Sequence, residues 1–313
     1  MTLKHILNRE VQGEFSYGIG PHKEPVLRIN SGDSVEVHTL DCFEGKVTSE
    51  DVKPSSVAVL PFVNPLCGPI WVEGAKPGDA LKVDVLSIKP VGDQPRGVTA
   101  LQNYFGLLSP KATAVTDPLP EIVRMVDITE DGVVWDEDIT FPFEPFIGTI
   151  GTAHRVATIN SLTPDNHGGN MDLPDIVPGT TLYLPVRADG ALLYLGDIHA
   201  CQGDGELCGT AIEMASITDI KVELIKDWDL DWPRLEDEDR IMSIGSSKPL
   251  EDAVAIAYND LIHWMVDNYG FDKYDAYFIL TQAGRVRVGN VVDPLYTVGA
   301  WIDKKYLKAR KKK

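Results

Sequence analysis

The feature that most constrains this chain is a turn used three times. Ser31-Gly32-Asp33, Pro77-Gly78-Asp79 and Pro178-Gly179-Thr180 each precede a run in which apolar and polar residues alternate. Pro at the first central position and Gly at the second is type II turn chemistry, since Pro presets φ and Gly accepts the positive φ that follows. After the turns, Val35 and Val37, then Leu81, Val83 and Val85, then Leu182 and Leu184 share one face of a period of two. Lys82 and Asp84 take the opposite face. With 27 Gly and 21 Pro punctuating short runs of Val, Ile, Leu and Tyr, the chain reads as an antiparallel sandwich or barrel. The irregular spacing of the three units predicts hairpins within sandwich layers, not a solenoid.

Two regions depart from this grammar. Residues 248–268 place Leu250, Val254, Ala257, Leu261, Trp264 and Met265 at helical spacing, with Glu251 and Asp252 at the start and Gly270 as the expected cap. A shorter helix is expected over 272–283. Residues 90–140 read as loop-rich, and 228–240 as a polar linker or lid.

Charge narrows the partners. The 47 acidic residues against 29 basic give a net charge of −18, which repels nucleic acid and anionic membrane surfaces but can attract cations. A basic tail, Lys308 and Arg310 to Lys313, reads as a solvated end or a tether. No run of 18 apolar residues occurs, the N-terminus lacks an export core, and four cysteines without CxxC spacing suit a reducing cytoplasm.

The most chemistry-dense stretch is YLGDIHACQGDGELCGTAIE (194–213). Asp197 and His199 lie two apart, on one face of an extended strand. Asp204 and Glu206 flank Gly205. A mixed imidazole and carboxylate set suits zinc, with manganese or iron behind it, whereas oxygens alone would suit calcium. The plainer alternative is turn formation by Asp and Gly around a core histidine. Other candidates are Asp41 with His38 at a strand end, and Glu73, expected to be buried in an apolar strand with a raised pKa. The Gly-Gly turn of HGGNMDL (167–173) could hold an oxyanion. Cys201 and Cys208 flank the acid cluster as alternative nucleophiles or as small buried hydrophobes.

These residues resemble the acetamidase/formamidase family over roughly residues 10–300. The likeness is carried by NPLCGPIWVEGAKPGDALKVDV (64–85), FIGTIG (146–151), GGNMD (168–172) and GDIHACQGDGELCGTAIE (196–213). The resemblance implies a mainly β (α+β) fold, with a jelly-roll-like β-sandwich, a β-barrel part and a small C-terminal α/β region. The expected organisation is a catalytic core in 1–90 and 168–228, a barrel-like or loop-rich insertion in 91–167, and an α+β region in 229–313. It implies metal-dependent hydrolysis of small linear amides such as formamide or acetamide, a divalent cation (zinc, with calcium as the alternative), and a homodimer or larger homo-oligomer. Asp41, His199 and Asp197 are the expected metal ligands. Glu206, Glu73 and Asp204 are the expected catalytic acids, with Glu206 or Glu73 as the base. Asn64, Gly169, Asn170 and Gln202 are expected to bind substrate. His38, Cys42 and Phe43, and Thr152 to Arg155, depart from the family pattern and are expected to reshape the pocket. Two other readings stand beside this one: a cysteine-nucleophile amidase, and a calcium-dependent carbohydrate-binding sandwich without catalysis.

Overall fold

The computed structural model describes residues 2–109 and 117–308. Arg310 to Lys313 of the basic tail lie outside them. The three repeated turns form as the sequence predicts. Asp33, Asp79 and Thr180 each donate a backbone N–H to the carbonyl three residues earlier, at 3.0–3.1 Å. Gly32, Gly78 and Gly179 take φ of 96°, 94° and 93°. Their place in the fold differs from expectation. Ser34–Thr39, Ala80–Pro90 and Thr181–Pro185 all enter a nine-stranded sheet. The strands before the turns, Leu27–Ile29, Leu66–Val72 and Gly168–Asn170, belong to a ten-stranded one. The turns are therefore corners between layers and not hairpins within one. Leu27–Ile29 pairs parallel with Leu66–Val72, so the chain arches over the core instead of folding back on itself.

Between the sheets lies one continuous apolar layer. Val35, Val37, Val83, Val85 and Ile220 face Ile70, Ile147, Ile150, Leu193 and Leu195, all essentially solvent-free. Burial of such side chains, about 1.5–3 kcal/mol each, is what selects this register over a one-residue slip. The two helices, Leu250–Tyr269 and Lys273–Ala283, cover the outer face of the nine-stranded sheet. Gly270 caps the first in the left-handed conformation, as the sequence predicts, and Asp272 caps the second through its side chain. No helix among the described residues is long and apolar enough to cross a membrane.

The expected linker over 228–240 is instead partly core. Arg234–Glu236 is a strand, and the buried Arg234 grips Asp260 of the first helix through two hydrogen bonds of 2.7 and 3.0 Å. Its charge partner stands far along the chain, so the segment reads as solvated when seen alone. The nine-stranded sheet runs unbroken from Lys4–Leu7 to Arg285–Asn290 and Tyr296–Asp303. Residues 90–140 hold real strands as well, Arg96–Leu101 and Ile122–Thr129 among them.

Removing one member of a buried, paired charge leaves the other uncompensated. Asp260→Ala is therefore expected to lower stability by about 3–5 kcal/mol, read from chemical denaturation.

Candidate active site

The strand Leu193–His199 runs through the middle of the ten-stranded sheet and is buried along its whole length. Phe146–Thr152 pairs with it on one side, and Glu213–Met214 and Leu66–Val72 with it elsewhere. His199 is in register with Glu213, and Thr149 with Asn170. Opposed residues on neighbouring strands share a face. One end of the sheet thus gathers Thr149, Asn170, Asp197, His199 and Glu213. Two further groups arrive by loops. Gly205 pairs with the backbone of Val288, Gly289 and Val291, which brings Glu206 and Asp293 to the same place.

The outcome is five buried carboxylates, Asp172, Asp197, Glu206, Glu213 and Asp293, around one buried imidazole. Asn170 organises them. Its Nδ2 donates to Asp172 Oδ2 (2.9 Å) and Asp293 Oδ2 (2.8 Å), and its Oδ1 accepts from Asn64 Nδ2 (3.2 Å) and from Thr149. His199 Nε2 stands 3.2 Å from Glu213 Oε2 and 3.5 Å from Asp197 Oδ1. A cavity of about 620 Å³ opens onto this floor, reaching Asn64, Asn170, Asp197, Glu206, Glu213 and Asp293. Its outer walls mix apolar residues such as Phe43, Val59, Leu60 and Phe105 with Gln102, Asn103 and Glu121.

Gln202 settles the tautomer of His199. Its Nε2 donates to the carbonyls of Asp172 (2.8 Å) and Gly289 (3.0 Å), so its Oε1 must face His199 Nδ1, 3.1 Å away. An amide oxygen only accepts, hence Nδ1 carries a hydrogen and Nε2 is the nitrogen turned toward the acids. Gln202 therefore positions the histidine from behind and does not line the cavity.

Burial raises every acid whose shift is resolved. Glu213 is pushed up to about 7 by burial, against the pull of His199. Asp293 also reaches about 7, again through burial, although Asp172 and Asn170 hydrogen-bond to it and pull it down. Asp172 and Glu206 stand well above the carboxylate range, through burial first and then through their acidic neighbours. Burial lowers the imidazole of His199, but Glu213 and Asp197 outweigh it and hold the group well above the histidine range.

Three of these buried polar atoms have no hydrogen-bond partner: Asp172 Oδ1, His199 Nε2 and Glu213 Oε2. Two groups of donors converge within 4.8 Å, Asp172 with His199 and Glu206, and Cys42 with Asp197 and Glu213. A Cβ on Gly148 would stand 2.9 Å from both Asp172 Oδ1 and Asp197 Oδ2, so only glycine leaves room there. Unpartnered carboxylate oxygens, an unpartnered imidazole nitrogen and open space together fit a divalent cation, which would take the place of the imidazole proton. The backbone bears strain at the same place. Asn64, Asp172, Asp197 and Glu206 all take positive φ, from 45° to 57°. Such strain costs about 1–3 kcal/mol per residue and gathers at functional sites.

Several expected residues lie elsewhere. Glu73 falls just past the end of its strand; it is about half exposed and 3.4 Å from Arg28. Its apolar neighbours point inward while it points out. Asp204 is exposed and paired with Arg287 at 3.0 Å. Asp41 spends Oδ1 on the N–H groups of Phe43 and Gly45, both 2.9 Å, and belongs to neither donor group. Gly169 lies behind the floor, packed against Thr163 O. Asn64, Asn170, Cys42 and Phe43 line the cavity, while Thr152 to Arg155 do not. Cys201, pushed up to about 11 by burial, packs against the core, and Cys208 is exposed. Neither reaches the floor. Asp172 and Glu213 stand inside motifs the sequence analysis quotes. Asp293 has no local signal at all.

The comparisons follow this geometry. The model of the Acetamidase/Formamidase family matches residues 18–162 and 154–302. The crystal structure of an acetamidase from Yersinia enterocolitica is similar, with 53% identity and a TM-score of 0.96 over 98% of this chain and 93% of that one. A formamidase of Methylophilus methylotrophus is 30% identical over 269 residues, 70% of this chain and 66% of its own length. An acetamidase of Mycolicibacterium smegmatis is 32% identical over 258 residues, 63% of each chain. The chain thus spans just under two thirds of the length of either relative.

A carboxyl whose folded pKa is raised keeps its proton while the unfolded chain loses its own, so stability falls as pH rises between the two values. For Glu213 and Asp293 the window runs from the ordinary 4.5 and 3.8 up to about 7. Chelator-treated protein is expected to lose thermal stability as pH rises across that window. A flat or rising melting temperature would contradict the cluster.

Proposed function

This chain belongs to the acetamidase/formamidase family, and we propose that it hydrolyses the C–N bond of small linear amides, releasing a carboxylate and ammonia. The observation that carries this reading is the trio of orphaned buried atoms around His199 at the foot of a cavity. Amides resist attack because resonance weakens the carbonyl as an electrophile and ammonia leaves poorly. A site for them must polarise the carbonyl, deliver water and protonate nitrogen.

Asp172, His199 and Glu206 are the residues that would hold a divalent cation, and the imidazole among the carboxylates favours zinc over calcium. Such an ion supplies Lewis acidity toward the carbonyl and lowers the pKa of water toward ~7. Asp293 is the base and proton shuttle in this proposal. It lines the cavity, lies outside both donor groups, and its pKa of about 7 lets it accept and return a proton near neutrality. Asn170 holds Asp293 and Asp172 together, and Asn64 offers the cavity an amide edge complementary to an amide substrate. Gln202 would hold His199 with Nε2 toward such an ion, the proton on Nε2 leaving as it binds. The apolar wall residues exclude competing water.

The alternatives fit less well. A cysteine nucleophile needs a nearby cation or base, and burial instead raises the Cys42 thiol well above its usual value, with Glu213 and Asp197 adding to it. A calcium-dependent carbohydrate module would not bury five carboxylates. The family reading also carries a cytoplasmic homo-oligomer, consistent with four free cysteines.

Three substitutions test the roles. Asp293→Asn should keep the metal yet lose at least about a hundredfold in ammonia release from formamide or acetamide. Glu206→Gln should instead lose metal affinity; if it keeps the metal and loses turnover, the base is Glu206. Gln202→Leu should weaken metal binding about 10–100-fold by freeing the imidazole, measured by chelator competition. A metal-loaded protein that releases no ammonia from any short amide would sink the reading.

A further inference from the structure

The floor of the cavity carries a second set of donors that the proposed reaction leaves unused. The thiol of Cys42 and one carboxylate oxygen each from Asp197 and Glu213 lie within 4.8 Å of one another, all buried. Glu213 Oε2 has no hydrogen-bond partner, and it stands 3.2 Å from His199 Nε2. The two donor groups are therefore contiguous across the imidazole. Charge points the same way. Among the described residues, none that lines the cavity is Lys or Arg. Lys248, which acts on Asp293, donates its ammonium to that residue's backbone carbonyl and lies over Tyr296. One divalent ion offsets two of the five buried carboxylates, and the remaining three then need protons or a second cation.

We propose that Cys42, Asp197 and Glu213 hold a second divalent cation beside the first, making the centre binuclear with one thiolate ligand. The inference rests on reading this cleft as a metal centre. Thiolate and carboxylate together suit a borderline-soft ion such as zinc. Binding displaces the thiol proton to solvent. The backbone at Cys42 is prepared for this. Asp41 closes the turn around it through the N–H groups of Phe43 and Gly45, and Asn64 donates its N–H to the Cys42 carbonyl at 3.0 Å. Asp41 is thus a positioning residue for the thiol.

The test uses metal-stripped full-length protein carrying Cys208→Ser, which removes the exposed thiol, titrated with cobalt(II). Two equivalents per chain are expected, with thiolate-to-cobalt charge-transfer absorption saturating alongside one of them. Adding Cys42→Ser should abolish that absorption and one equivalent, with the circular dichroism unchanged. Zinc-edge X-ray absorption of the Cys208→Ser protein needs no change at Cys42, and should show one sulfur neighbour at about 2.3 Å shared between two ions. A single equivalent, two equivalents without a sulfur signature, or a signature that survives Cys42→Ser overturns the second position alone. Binding of no metal overturns the metal reading of the whole cleft.

Discussion

Everything at the end of this sandwich depends on one electrostatic problem, five carboxylic acids buried against a single imidazole. A lone buried carboxylate is expensive, and five cannot all be ionised at a few ångströms' separation without a counter-charge. The polypeptide supplies little of one. The charged side chains that compensate buried acids elsewhere, such as Arg234 for Asp260, are absent from the cavity lining among the described residues. What the fold supplies is geometry. The Asn170 amide spaces two acids, Gln202 fixes the histidine with Nε2 toward them, and Gly148 keeps the space in front of them open.

That geometry is held at a cost in backbone strain. Four residues of the site sit at positive φ without being glycine. They stay there because the surrounding ladders leave no choice. Leu193–His199 is paired on both sides, and the loop bearing Glu206 is pinned through Gly205 to the far end of the chain. A rigid layer that over-determines its own end can carry acids a looser one would expel. The −18 net charge of the chain accordingly has two parts. Some of it is solvated surface, and some is concentrated where only a cation or a proton can relieve it.

How much of this was legible in the sequence follows from the range of each signal. The type II turns and the two helices rest on local rules, and they formed where Pro-Gly pairs, Asp272 and Gly270 stand. Whether the turns joined strands of one sheet or two is a long-range fact that spacing does not encode. The histidine and its strand partner Asp197 were visible because a period of two places them on one face. Glu73 misled because it follows an apolar strand but lies one step beyond its end, where the chain turns outward. Asp204 neighbours Glu206 in sequence but not in space, because Gly205 between them turns one to solvent and the other into the cluster. Asp293 was invisible, since what defines it is a contact with Asn170 across 123 positions.

The same dispersion links the site to folding as a whole. Its side chains come from the turn at Cys42, the segment after Gly168–Asn170 at Asp172, two strands at His199 and Glu213, a loop at Glu206 and the C-terminal part of the chain at Asp293. An unfolded chain scatters them, so no preformed site exists to bind a cation before the sheets close. The free energy of binding a cation there would be free energy of folding, acting on the native state alone. Conversely, closing the sheets without a cation drives protons onto the acids. The fold and the charge it encloses are therefore one equilibrium. The nine-stranded sheet, which carries Asp293 on the connection between its last two strands, cannot loosen at that edge without releasing the centre.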